Sequence, residues 1–219
     1  MFQVTHPRLV AISSFRPLDA SPEVAANQLR AKRSWDEVFD KIILFGSHDK
    51  RLATPKTEFV ECEEWPHISL LVMVARCQAD PTCILNADIV VSDALKHMLN
   101  LGWTKGAMAL TSRRYEFDPA TENYDAARVV DWGADFFAAL PQAWNEAYKE
   151  IPTGFRLGHQ LWDNWMLVFF YHRCFRNFFD ITAMRPIFHP KHGDRKMPHV
   201  VVVPPDCFYA QMGFPPALT

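Results

Sequence analysis

The sequence predicts an α/β protein built on a single doubly wound, mostly parallel sheet flanked by helices, and three observations carry that expectation. Short apolar runs suited to strands alternate with longer stretches suited to helices. The strand-like runs are continuously apolar, as in strands covered on both faces, rather than alternating in polarity. The alternation repeats from the N-terminus to the middle of the chain, which is the pattern of βαβ units. With 219 residues, 49% hydrophobic and 13% aromatic, the chain can bury one large core, so one domain over 1–219 is expected.

The elements follow in order. "LVAISSFRP" is a first strand stopped at Pro17. A helix follows in "SPEVAANQLRAKRSW", with Ser21 as N-cap, Pro22 at the first helical position and Glu23 in the first turn. "KIILFGS" is a second strand ended by Gly46, "TEFVEC" a third, and "WPHISLLVMVARCQ" a buried helix opened by Pro66. "TCILNADIVV" is strand-like, Ser92 caps a helix in "DALKHMLNLG" that ends at Gly102, and "GAMALTSRRYEF" is a further strand. Beyond residue 118, "DPATENYDAARVVDWG" is polar and turn-rich, a loop expected to lie over the sheet because the aromatic-rich segment after it needs a surface to pack on. The last stretch, from "PIFHPKHG" onward, is rich in proline and holds one strand-like "HVVVV", which suits a tail wrapped over the domain.

Composition narrows the function. A formal net charge of −2 gives no general basic field, so nucleic acid is not an expected partner. Five scattered cysteines, Cys62, Cys77, Cys83, Cys174 and Cys207, form no CxxC pair and fit reduced thiols in the cytoplasm. The N-terminus lacks a basic leader followed by a long apolar stretch. The longest apolar segment, "LWDNWMLVFFYHRCF", is interrupted by Asp163 and Asn164 and then by His172 and Arg173, well short of the roughly 20 residues of a membrane span. A cytoplasmic protein without a membrane span is expected.

Ligands of open α/β sheets bind beyond the carboxyl ends of the strands. The first strand ends in Ser13, Ser14, Phe15 and Arg16, the second in Gly46, Ser47, His48 and Asp49, the fourth in Asn86 and Asp88, and the fifth in Ser112, Arg113 and Arg114. Taken singly, the serines suit a turn cap, Gly46-Ser47 a strand end, and Arg113-Arg114 a solvated edge. Together, hydroxyls, an aromatic face, a carboxylate and two guanidinium groups suit a base, a ribose and a diphosphate. No GxGxxG or GxxxxGK[ST] is present, so the phosphates need another counter-charge. Asp88 interrupts an apolar run, where an unpaired carboxylate costs several kcal/mol. It therefore caps a turn, pairs with an arginine, or holds Mg²⁺ or Mn²⁺, which can bridge a diphosphate with one or two protein carboxylates.

"ILNADIVV" after βαβα units resembles the strand and short acidic motif of GT-A-fold glycosyltransferases. "ALTSRRYEF" followed by "DWGADFFAAL" and "LWDNWM" resembles their downstream order of elements, the whole covering roughly residues 8 to 192. The resemblance implies a nucleotide-binding half at 8–118, a sugar and acceptor half at 119–192 and a Pro-rich tail at 193–219. It implies a nucleoside facing Ser13 to Arg16 and Gly46 to Asp49, with Asp88 on the metal. The motif departs from the family in one place: its first acidic position is Asn86, which leaves a single formal charge.

Three further groupings bear on chemistry. "DWGADFF" places Asp131 and Asp135 around a glycine, with Asp135 either a helix N-cap or a partner of sugar hydroxyls. "GHQLWDNWM" sets Asp163 between Trp162 and Trp165 early in a helix, where the helix dipole favours a carboxylate and indoles can wall a sugar; Asp163 is the candidate base for the acceptor hydroxyl, with Asp135 the next candidate. "FHPKHGDRK" holds His189, His192 and Asp194, and by the same resemblance a late histidine joins the metal. The alternatives are a solvated turn, or closure of Lys191, Arg195 and Lys196 over the diphosphate. The other histidines are expected at the surface or as satisfied core residues.

The expected function is a metal-assisted glycosyltransferase acting on a nucleotide-sugar donor and an unidentified acceptor. Three alternatives stand beside it: a non-catalytic nucleotide-sugar binding module, a nucleotidyltransferase, disfavoured because "SSFRPLDASPE" has neither glycine nor lysine, and a metal-dependent hydrolase, disfavoured by the lack of HExxH.

Overall fold

A computed structural model of the chain describes residues 7–46, 48–62, 65–130, 134–157 and 162–191. Seven strands form the main sheet. In it β1 (Val10–Ser14) lies parallel between β2 (Lys41–Phe45) and β4 (Thr82–Leu85), and β3 (Thr57–Val60) extends β2 at the edge. β10 (Phe178–Asp180) runs parallel to β6 (Ala109–Thr111) at the other edge. β9 (Phe136–Ala139) fills the gap between β4 and β6 and is antiparallel to both. The fold is therefore α/β with a mostly parallel sheet covered by helices on both faces.

The pleat explains the two covers, because successive side chains of a strand point to opposite faces. Ala11, Ile42, Leu44, Cys83, Leu85 and Leu110 pack on one side with Trp35 and Phe39, which come from α1 (Pro22–Val38) and the turn after it, and with Leu95 and Leu99 of α3 (Leu95–Thr104). Val10, Ile12, Ile43, Phe45 and Ile84 pack on the other side, against α2 (Ile68–Arg76), α4 (Pro141–Glu150) and α5 (Trp162–Cys174). Each large apolar side chain fully buried here contributes about 1.5–3 kcal/mol. The buried indoles also have polar partners: Trp35 donates to the Ile89 carbonyl at 2.6 Å and Trp144 to the Thr82 carbonyl at 3.1 Å.

The helix start at Ser21 is as the sequence predicts, with the hydroxyl accepting from the Val24 N–H at 3.5 Å and Pro22 in the first turn. Other boundaries differ. The helix α2 begins at Ile68, two residues after Pro66. Ser92 stands outside α3: its hydroxyl accepts from the Ala94 N–H and its carbonyl from the Leu95 N–H, forming a turn before the helix. Gly102 does not end α3 but lies within it, where a Cβ would come 2.4 Å from Leu110 Cδ2; the chain turns instead at Gly106, whose φ is +92°. Glycine at 102 lets the helix approach β6 closely.

The largest difference is that two expected strands each break in two. "TCILNADIVV" becomes β4 and β5 (Val90–Val91), and "GAMALTSRRYEF" becomes β6 and β7 (Tyr115–Phe117). Hydrogen bonds outside the ladder mark both breaks. The Asn86 carbonyl accepts from the Ile89 N–H and closes a turn, while the Arg113 N–H leaves the ladder to donate to the Thr182 hydroxyl at 2.8 Å. Both segments then join β8 (Arg128–Val129) and β11 (Ile187–Pro190) in a second, four-stranded sheet of order β5-β11-β7-β8. The segment expected as a loop beyond residue 118 thus supplies a strand. The Pro-rich tail, 193–219, lies outside the described residues, and with it the strand-like "HVVVV" and Asp194, Arg195 and Lys196. Among the described residues, no helix is long and apolar enough to cross a membrane.

Candidate functional site

Because β9 runs against its neighbours, the residue just before it arrives where β4 and β6 end. Asp135 therefore meets Asn86: the Asn86 N–H donates to the Asp135 carbonyl at 3.1 Å, and its amide nitrogen to Asp135 Oδ1 at 2.7 Å. From the break between β6 and β7, Arg114 donates to Asp135 Oδ2 and lies 3.4 Å from Glu116 Oε1. His189, in β11, lies 3.5 Å from Asp88 Oδ2 through Nε2 and 4.0 Å from Glu116 Oε1 through Nδ1. Asn86, Asp135, Arg114, Glu116, His189 and Asp88 thus form one closed circuit, since Asn86 and Asp88 share a turn. It spans the seam between the two sheets.

The Arg114–Asp135 end of the circuit is shielded from solvent. The side chains of Arg114 and Asp135 are 13% and 7% exposed, so their pairing is a partly desolvated, charge-assisted one. Burial alone would lower the Arg114 pKa, but the charges of Asp135, Glu116 and Asp88 outweigh it and hold the guanidinium above its ordinary value. Asn86 Oδ1 is buried and has no hydrogen-bond partner. Asp163, in the first turn of α5, belongs to the same electrostatic neighbourhood. Burial first, then the charge of Asp135, push its carboxyl up to about 6, against the pull of its own and the Asn164 N–H and of Arg114.

The other expected site residues divide. Ser13 and Phe15 face inward: the Ser13 hydroxyl donates to the Leu85 carbonyl at 2.7 Å, and the Phe15 ring packs edge-on against Trp35 at 5.4 Å. Ser14 and Arg16 stay partly exposed at the rim. The Gln28 amide clamps the Arg16 backbone at both N–H (2.8 Å) and carbonyl (3.0 Å), and the Arg16 guanidinium lies 4.6 Å from the centre of the Trp65 ring. Gly46 has φ +131°, and a Cβ there would come 3.0 Å from the Phe15 carbonyl, so the ends of β1 and β2 are joined by a close backbone approach. Asp49 caps a short 3-10 turn and pairs with Arg51, whose hydrogen bonds hold its carboxyl below the ordinary range. The Arg113 backbone donates to Thr182, and Arg114, with its side chain 13% exposed and paired with Asp135, is not part of a solvated edge. Asp135 precedes a strand rather than capping a helix, and His189 sits within a strand, buried, not in a solvated turn. Ser47, Asp131 and His192 lie outside the described residues.

Glu116 escaped the sequence reading. Its signal was available: "YEF" sets a carboxylate in a short aromatic strand, the same anomaly that marks Asp88 in "NADIVV".

Among the described residues, no group of three or more His, Cys, Asp or Glu side chains is arranged to hold a metal ion. Of the residues expected at a metal, Asp88 and His189 stand 3.5 Å apart, and the Asn86 amide oxygen, also a hard donor, is buried without a hydrogen-bond partner.

No protein-family model matches the chain, and no curated protein matches it. Among solved structures the chain resembles residues 1–349 of S. aureus TarS, with a TM-score of 0.57 and 8% identity over 84% of this chain and 60% of that one. It also resembles a protein described as a glucose-1-phosphate thymidylyltransferase from Bacillus anthracis, solved in complex with sucrose, with a TM-score of 0.51 and 9% identity over 85% of this chain and 87% of that one. The chain shares the α/β fold of these two proteins.

Proposed function

We propose that the protein is a glycosyltransferase that moves a sugar from a nucleotide diphosphate donor to an acceptor hydroxyl. One observation carries the reading: the Asn86-Ala87-Asp88 turn, Asp135 and Asp163 converge on the carboxyl rim of an α/β sheet, with Asp163 held near a pKa of about 6. A carboxylate at that value is ionised at neutral pH and basic enough to take a hydroxyl proton as the bond to the sugar forms. Likeness to a protein described as acting on glucose 1-phosphate agrees with a sugar-phosphate ligand.

In this reading Arg16, Ser14 and the Gly46 turn face the nucleoside. Asp88, with His189 and the Asn86 amide oxygen, would hold Mn²⁺ or Mg²⁺, which would supply counter-charge to the diphosphate. Arg114 and Asp135 fix the turn that carries Asp88, through Asn86. Asp163 receives the acceptor proton. A nucleotidyltransferase is the second reading, favoured by the same likeness and opposed by the lack of glycine and lysine after β1.

A thermal-shift screen of nucleotide diphosphates with and without Mn²⁺ tests donor binding, since a ligand of the native state raises the melting temperature by mass action. The expected result is a metal-dependent rise that Asp88→Ala abolishes, followed by sugar transfer from the matching nucleotide sugar. An unchanged affinity in Asp88→Ala removes Asp88 from the site. Release of pyrophosphate from a nucleoside triphosphate with a sugar 1-phosphate identifies the nucleotidyltransferase instead.

A further inference from the structure

A cleft of about 650 Å³ opens beside the rim, and no step of the proposed reaction uses it. Its size falls in the range of about 300–1,000 Å³ of small-molecule sites. Two segments zip together at its base: the Ile68 N–H donates to the Phe155 carbonyl at 2.8 Å, the Leu157 N–H to the Pro66 carbonyl at 3.4 Å, and Arg156 to the Trp65 carbonyl at 2.5 Å. The walls mix the Trp65 and Tyr148 rings with Met73, Ser69, Thr153 and Arg156. Both rings are held by cations, Trp65 by Arg16 at 4.6 Å and Tyr148 by Arg76 at 3.9 Å.

We infer that this cleft binds the acceptor, and that the acceptor is a saccharide. The lining matches that class of ligand, because a pyranose ring presents an apolar C–H face to aromatic rings and hydroxyls at its edge to side chains such as Ser69, Thr153 and Arg156. Position carries the rest. Trp65 is contacted by Arg16 of the nucleoside rim, and the 151–157 wall touches the helix of Asp163 through Phe155 and Trp165, whose rings lie 6.4 Å apart. The cleft therefore stands between the segment assigned to the donor and the helix that carries the base. The assignment of an acceptor rests on the transferase reading; the binding of a saccharide does not.

Saturation-transfer NMR on the full chain, with a panel of methyl glycosides and disaccharides of glucose, galactose and N-acetylglucosamine, tests the inference without nucleotide present. Alkylation of Cys62, which lines the cleft, gives a second readout, with the exposed Cys77 as internal control. The expected result is that at least one saccharide shows transfer and slows alkylation of Cys62 but not of Cys77. Ser69→Trp and Thr153→Trp, which fill the cleft from a helix and from an exposed loop, should each weaken that saccharide about tenfold or more while the nucleotide-induced rise in melting temperature stays. Binding that survives both substitutions, or no binding by any saccharide in a protein that does respond to nucleotide, overturns the cleft assignment. Saccharide binding in a protein that responds to no nucleotide keeps the cleft as a saccharide site and removes the transferase reading.

Discussion

At the scale of single residues, the energetics of the rim depend on Arg114. Asp135 is almost fully buried, and its compensation comes from one guanidinium and the Asn86 amide. Removing the cation strands the carboxylate, so Arg114→Ala is expected to destabilise the protein by about 3–5 kcal/mol. Asp135→Ala should also be costly, but the double variant should lose clearly less than the two single losses added together, because neither charge is then left unpaired. Urea unfolding of the four proteins measures this; simple additivity would show that the pair is not coupled. The sequence exposed half of this arrangement. Asp88 stands out because a carboxylate interrupts an apolar run, and that anomaly is local. The Arg114–Asp135 pair is not local: its partners lie on either side of the 119–130 segment and meet only because the chain crosses from one sheet to the other and back. Of two adjacent arginines, the one that mattered was decided by the break after β6, which no spacing in the sequence marks.

At the scale of elements, glycines and caps set how closely the pieces approach. Gly46 joins the ends of β1 and β2 with a φ of +131° and a Phe15 carbonyl where a Cβ would stand. Gly46→Ala is expected to cost about 1–3 kcal/mol, the usual strain of a residue with a side chain in such a conformation. It should also weaken nucleotide binding by moving Phe15 and Arg16. Denaturant midpoints and calorimetry on the same preparation check both parts; an unstrained, fully binding variant would show that the turn relaxes freely. The start of α1 was legible because Ser21, Pro22 and Glu23 act on their own neighbours in the chain. The starts of α2 and α3 were each shifted by two residues, because His67 and Ala94 supply no side-chain cap. Strand splitting was illegible for a different reason. An apolar run says that residues are buried, not in which sheet.

At the scale of the whole molecule, continuous apolar strands and regular alternation were enough to give the fold class, since both reflect a sheet covered on two faces. The second sheet was missed because its strands have only two to four residues and draw on four separate parts of the chain. Stability as a function of pH is a property at this scale, and Asp163 gives it a definite sign. Its carboxyl moves from an ordinary value of 3.8 up to about 6 on folding. Below about pH 4 both states hold the proton and nothing is lost; as pH rises to about 6 the unfolded chain releases it first, so stability falls across that window by up to about 2–3 kcal/mol. Asp163→Asn is therefore expected to melt higher than the parent at neutral pH and to converge with it near pH 4, while transfer activity falls about 10²-fold or more. Melting curves over pH, with turnover measured on the same variant, check the two outcomes. A lower melting temperature at neutral pH would mean that the carboxylate stabilises α5 through the helix dipole instead.

The late arrival of β9 has a consequence in time. β4 and β6 emerge from synthesis early but are not neighbours, and the strand that belongs between them begins only at Phe136. Until then a nascent chain carries two unpaired apolar edges facing an empty slot, a template for pairing with other chains. Closing the slot needs contacts between residues far apart in sequence, which form slowly. Chains interrupted shortly before Phe136 should therefore aggregate far more readily than chains released after Ala139, and a chaperone that shields strand edges would matter most during that interval.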